Sequence, residues 1–83
     1  MVKILLFGRL AELETEPSFS IELTDSIRTA GDVRRFLSEQ NHTLGKALSE
    51  PQNLMALNQK IISDDAPISE EDELAFLPPV TGG

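Results

Sequence analysis

The chain has 83 residues, 40% of them hydrophobic, with four Phe, no Trp or Tyr, one His and no Cys. A chain this short buries only about 60–65% of the surface its unfolded form exposes, which allows one domain of a sheet with one or two helices and excludes a self-sufficient enzyme with a deep cleft. Without Cys there is no disulfide, thiolate nucleophile, persulfide or Cys-ligated zinc or iron–sulfur site, and His42 alone builds no His-rich metal cage, so no metal site is expected.

The net charge of −7 is unevenly placed: residues 1–60 hold seven bases and eight acids, residues 61–83 six acids and no base. Phosphate binding needs clustered Lys and Arg, and only the pair Arg34-Arg35 approaches that, so nucleic acid is excluded as a partner. The acids Asp64, Asp65 and Glu70 to Glu73 suit either a solvated loop or the steering of a basic protein. The N-terminal apolar run Ile4-Leu5-Leu6-Phe7 falls short of the roughly 7–15 residues of a signal core and the roughly 18–20 of a membrane span, so a cytoplasmic protein with no membrane partner is expected.

In chain order, Val2 to Phe7 predicts a strand that Gly8 interrupts, with Val2, Ile4 and Leu6 on one side and Lys3, Leu5 and Phe7 on the other. Glu14 to Pro17 is a turn, and Ser18 to Leu23 alternates as a second strand with Phe19, Ile21 and Leu23 inward, making an antiparallel hairpin. Thr29 caps a helix to about Gln40, with Val33, Phe36 and Leu37 at helical spacing; Asp32 stands where a capping box prefers Glu, and Asn41 stops the helix. Leu44, Ala47 and Leu48 predict a short second helix that Pro51 must end. Leu54 to Leu57 is a third strand, Asn58-Gln59 a tight turn into a fourth at Lys60 to Ile62, and Glu73 to Leu77 the last. Leu74 and Phe76 share one face of that strand, and Glu73, Ala75 and Leu77 the other.

One main helix and a short one against about five strands is an α+β arrangement of the β-grasp, ubiquitin-like type. Its first and last strands are expected side by side and parallel at the sheet centre, which accounts for their apolar character. The domain is expected to span residues 1–77 and a tail residues 78–83.

The tail reads Pro78-Pro79-Val80-Thr81-Gly82-Gly83. Two prolines cannot continue a ladder and hold the backbone extended, so these residues leave the domain as a stalk that reaches about 20 Å. Gly82 and Gly83 lack a Cβ, so the tip can thread a channel too narrow for a side chain and present a terminal carboxylate to a partner's active site. A frayed terminus gives no reason for the Pro-Pro spacer.

The stretches Ile4-Leu5-Leu6-Phe7-Gly8-Arg9-Leu10-Ala11-Glu12-Leu13, Leu57-Asn58-Gln59-Lys60-Ile61 and Asp72-Glu73-Leu74-Ala75-Phe76-Leu77-Pro78-Pro79-Val80-Thr81-Gly82-Gly83 resemble the small subunit of molybdopterin synthase. The likeness covers the whole chain, and the ending Phe-Leu-Pro-Pro-Val-Thr-Gly-Gly is its most specific part. The resemblance implies a sulfur carrier: an E1-like, ATP-using enzyme adenylates the Gly83 carboxylate, sulfur displaces AMP, and the thiocarboxylate donates sulfur to a pterin precursor inside the large subunit. It further implies a heterotetramer of two small and two large subunits, with Phe7, Ile61 and Leu77 packing against the large one.

The residues agree with that chemistry. A carboxylate becomes an electrophile only as a mixed anhydride, and whoever binds ATP performs the activation. The five glycines, Gly8, Gly31, Gly45, Gly82 and Gly83, form no phosphate cradle, so the chain is expected to bind no cofactor and to be non-catalytic alone. Leu5 and Phe7 with Ala75 and Leu77, extended by Ile61, are expected to form an exposed apolar patch at the tail root, unless a loop of the same chain covers them. Arg9 fits an exposed rim charge and His42 a helix end. A sulfur carrier of another pathway, such as thiamine synthesis, a ubiquitin-like protein modifier, and an interaction module with an inert tail remain alternatives.

Overall fold

The structure, a computed structural model, describes residues 1–13, 16–50 and 53–78. Among these, Val2–Leu6 (β1), Ser18–Ile21 (β2), Leu54–Leu57 (β3), Lys60–Ile62 (β4) and Glu73–Leu77 (β5) form one mixed sheet in the order β2-β1-β5-β3-β4. Strands β1 and β5 run parallel and adjacent, while every other neighbouring pair is antiparallel. Their inward residues, Val2, Ile4, Leu6, Leu74 and Phe76, are buried, while Lys3, Leu5, Glu73, Ala75 and Leu77 lie on the opposite face. The sheet carries the β-grasp arrangement expected from the element order.

The helices Ala30–Gln40 (α1) and His42–Leu48 (α2) complete the domain. Val2, Ile4 and Leu6 of β1 and Leu74 and Phe76 of β5 form one core with Val33 and Leu37 of α1 and Leu44 and Leu48 of α2, all at most 4% exposed. Burial of each large side chain of this kind stabilises by about 1.5–3 kcal/mol over leaving it in water. Of the four Phe, Phe76 is fully inside, Phe19 and Phe36 pack partly buried against the core, and Phe7 stays outside.

The start of α1 is better built than Asp at its third position suggests. Thr29 Oγ1 accepts from the Asp32 N–H at 3.2 Å, and Asp32 Oδ2 accepts from the N–H groups of Thr29 and Arg28 at 3.1 and 3.0 Å, a complete reciprocal box. These donors, that of Arg28 foremost, hold the Asp32 carboxyl below its ordinary value near 3.8. A depressed carboxyl stabilises the fold fully above its ordinary value and loses that contribution as pH falls through the folded one. Asp32→Asn is therefore expected to be less stable than the parent in urea at neutral pH, with the difference shrinking below about pH 3.8. Asn41 ends α1 by donating its N–H to the Leu37 carbonyl and opens α2 by accepting from the Leu44 N–H at 3.1 Å, so one residue serves both helices. His42 is the first residue of α2, at a helix end as expected. Helix α2 closes at Leu48 with Ser49 as its cap, and Pro51 lies outside the described residues.

Two elements differ from expectation. Gly8–Leu13 forms a 3-10 helix whose Leu10 is buried and whose Leu13 packs on the core, a turn set by their three-residue spacing. Strand β2 stops at Ile21, two residues before the end of the alternation, although Leu23 still packs partly buried on the core.

Candidate functional site

The register of the ladders determines what shares the sheet face opposite the helices. Leu5 on β1 pairs with Ala75 on β5, Ala75 with Ala56 on β3, and Ala56 with Ile61 on β4, so four apolar residues form one row across four strands. The next row toward the chain end holds Leu77 opposite Leu54, flanked by Phe7, whose N–H donates to the Phe76 carbonyl at 3.1 Å. The row on the other side is Lys3 opposite Glu73, and β2 contributes only Ser18 and Ser20. An apolar face bounded by polar residues on two sides thus runs up to the root of the tail.

Exposure within this face is graded. Ile61 is 62% exposed and Phe7 46%, while Leu5 and Leu77 are half-buried by their neighbours. Ala75 points outward as expected but is only 8% exposed, because Leu5, Leu77 and the paired Ala56 stand around its single methyl. It belongs to the floor of the patch rather than to its exposed surface. Leu54, 39% exposed, and Ala56 are further members that the sequence reading missed. Their alternation placed them on one side of β3, but which side lay beside Ala75 depends on the β3–β5 register, which a single strand does not encode.

Ile61 owes its position to the hairpin turn. Asn58 and Gln59 have φ of 50° and 72°, the paired left-handed conformation of a two-residue hairpin loop. Asn58 also ties the hairpin to the start of β5, donating from Nδ2 to Asp72 Oδ1 at 3.0 Å and accepting on Oδ1 from the Glu73 N–H at 3.0 Å. Met55 then faces Ile62 on the core side and Ala56 faces Ile61 outside, the orientation expected of Ile61.

At the tail root, Gly8 has φ +57°, and a Cβ there would lie 2.6 Å from Pro78 Cγ and 3.3 Å from Pro78 Cδ. The proline ring therefore packs where a side chain would be, and the chain leaves β5 against the start of the 3-10 helix. Gly8→Ala is expected to lose about 1–2 kcal/mol in urea unfolding from the left-handed backbone alone, with Pro78 displaced in addition. Arg9 is exposed beside this contact and has no ion-pair partner among the described residues, consistent with a rim charge. Pro79, Val80, Thr81, Gly82 and Gly83, the remainder of the expected tail, lie outside the described residues.

Within the acidic cluster, Glu70 to Glu73 lie at the far end of β5 from the tail root. Glu70 to Glu73 precede and begin β5, about 13 Å of strand away from Leu77. Several of these acids have structural partners: Asp64 pairs with Arg34, Asp65 accepts from the Ser63 hydroxyl at 2.6 Å, Asp72 accepts from the Ser69 N–H at 2.7 Å, and Glu70 and Glu71 flank the Met1 α-amino group. Asp64 and Asp65 thus serve the loop after β4 and its tie to α1, and Glu70, Glu71 and Asp72 the turn before β5.

Among the described residues, no group of three or more His, Asp or Glu is arranged to hold a metal ion, and no helix is long and apolar enough to cross a membrane. What the described residues present is a bounded apolar face that reaches the tail root.

The comparisons with known proteins bear on this arrangement. The ThiS family profile matches residues 4–83. The molybdopterin synthase sulfur carrier subunit of Escherichia coli is 35% identical over 83 residues, covering all of both chains. SAMP1 from Haloferax volcanii superposes with a TM-score of 0.81 at 24% identity over 99% of this chain and 98% of its own, a likeness of fold. A chain in the protein–protein complex of subunits 1 and 2 of the molybdopterin-converting factor from Helicobacter pylori gives a TM-score of 0.67 at 26% identity, covering 99% and 97%. With its sheet, its docking face and its Gly-Gly ending accounted for along the full length, the chain belongs to the ThiS family, with the sulfur carrier subunits of molybdopterin synthase.

Proposed function

We propose that this chain carries sulfur as a thiocarboxylate on Gly83 and delivers it to a pterin precursor held by the large subunit of molybdopterin synthase. The observation that carries the proposal is the continuity of the apolar face with the tail root, in a chain without a thiol. The rows Leu5–Ala75 and Leu77–Leu54 lead toward Pro78, so a partner that grips this face also receives whatever follows Pro78. Residues 1–77 act as the docking domain, and residues 78–83 as the arm that enters the partner's active site.

The chemistry proceeds in three balanced steps. The Gly83 carboxylate attacks the α-phosphorus of ATP on an E1-like adenylating enzyme, giving the acyl-adenylate and pyrophosphate. Hydrosulfide from a sulfur donor then attacks the acyl carbon and displaces AMP, leaving the thiocarboxylate. In the large subunit the thiocarboxylate sulfur displaces an oxygen substituent, which leaves as water, from a carbon of the pterin precursor, and a second water cleaves the acyl–sulfur bond, leaving the sulfur on the pterin and regenerating the Gly83 carboxylate with an oxygen from water. The chain itself supplies docking, reach and a nucleophilic end, and ATP is held by the activating enzyme. A dithiolene needs two sulfurs, which fits two small subunits with two large ones. Reliance on ATP supports a cytoplasmic setting for these steps.

Intact-mass measurement after incubation with the activating enzyme, ATP and a sulfur donor tests the proposal. The expected product is the free chain with one oxygen replaced by sulfur. Adducts on lysines of other proteins would instead identify a protein modifier, and an unchanged mass would overturn sulfur carriage.

A further inference from the structure

We propose that Ala56 and Ala75 form the floor of a socket that admits one bulky apolar side chain from the protein that takes the tail; this rests on the docking function proposed above. The row Leu5–Ala75–Ala56–Ile61 crosses four strands, about 14 Å from end to end. Its two inner members carry a single methyl and its two outer members full aliphatic side chains, so the row is low in the middle and high at both ends. Phe7, Leu77 and Leu54 wall the side toward the tail, and the Lys3–Glu73 pair bounds the other.

Nothing in the folding of the domain asks for alanine at these positions. Ala is a poor strand former, and the inward positions of the same two strands hold Met55, Leu57, Leu74 and Phe76. The small residues are confined to the outward face, directly opposite one another. A well-packed pocket ringed by apolar neighbours is where a single inserted side chain contributes most to binding, because the ring excludes water. Apart from the Lys3–Glu73 boundary the walls are apolar and no charged group lies on the floor, so the occupant is aliphatic or aromatic. The continuity of the socket with the tail root assigns that occupant to the partner whose active site receives the tail.

Filling the socket tests this. Ala56→Leu and Ala75→Leu are expected to weaken binding to the large subunit about tenfold or more, a loss in the range of a truncated interface anchor. Because the chain has no Cys, Ala56→Cys adds a unique, nearly isosteric thiol, and its labelling by a maleimide is expected to slow sharply when the large subunit is added. Ser20→Cys, on the same face but on β2, is expected to label at the same rate with or without it. Leu variants that bind as the parent does, or an Ala56→Cys thiol equally reactive in the complex, would overturn the socket. Labelling of Ala56→Cys that slows as the chain's own concentration is raised, without any partner, would assign the socket to a second copy of this chain and also overturn the proposal. A parent chain that fails to bind the large subunit at all is a separate result, and removes the docking function on which the socket rests.

Discussion

Deleting Gly83 is expected to leave the domain folded and to reduce dithiolene formation in a reconstituted synthase by about a hundredfold or more. Among the described residues the buried core ends at Phe76, well before Gly83 in the chain, so the domain is expected to fold without that residue. It shortens the arm by about 3.5 Å, and a reacting group misplaced by as little as 1 Å can cost about a hundredfold in rate. Thermal unfolding of the truncated chain is expected to match that of the parent, while the product assay falls to background. Truncation that left synthesis intact would mean that the reactive carboxylate does not have to sit at Gly83.

The second large effect is expected on the exposed rim of the docking face. Phe7→Ala should weaken binding to the large subunit by about 2 kcal/mol, roughly thirtyfold, the range for truncating an aromatic hot spot. Ile61→Glu should cost more, because it leaves an unpaired carboxylate in the contact. Both side chains are largely exposed in the free chain, Ile61 on an edge strand, so neither change should lower stability much. Lys60→Ala, one residue away, is expected to bind nearly as the parent does. Calorimetric titration of each variant into the large subunit checks the series, and an Ile61→Glu variant that bound normally would move the interface elsewhere.

Much of this architecture was legible in the sequence because it follows from period and punctuation. The two-residue period of Val2 to Phe7 and of Glu73 to Leu77 separated core from outer face correctly in both strands, and Asn58-Gln59 marked the hairpin that turns Ile61 outward. The helix pair was legible through Thr29, the Val33–Phe36–Leu37 spacing and Asn41. What was not legible depends on relations between strands. Leu54 and Ala56 join the docking face only through the β3–β5 register, and the shielding of Ala75 follows from the neighbours that register supplies.

Other features escaped for local reasons. The 3-10 helix at Gly8–Leu13 has a three-residue period, carried only by Leu10 and Leu13, and is too short to stand out. The tight packing of Gly8 on Pro78 joins two residues far apart in the chain, and a lone Gly after a strand signals an interruption without naming its cause. The acids of the last quarter were grouped by their nearness in sequence, whereas the extended strand β5 carries Glu73 well away from Leu77.

The most direct test of the central claim is a single-turnover transfer. Chain bearing a sulfur-labelled thiocarboxylate would be mixed with the large subunit and the pterin precursor, and the label followed in both chain and product. Labelled sulfur is expected to move into the dithiolene while the chain returns to its carboxylate form, two thiocarboxylates being consumed for each dithiolene. Label that stays on the chain while the precursor remains unchanged, in a complex shown to have formed, would contradict it.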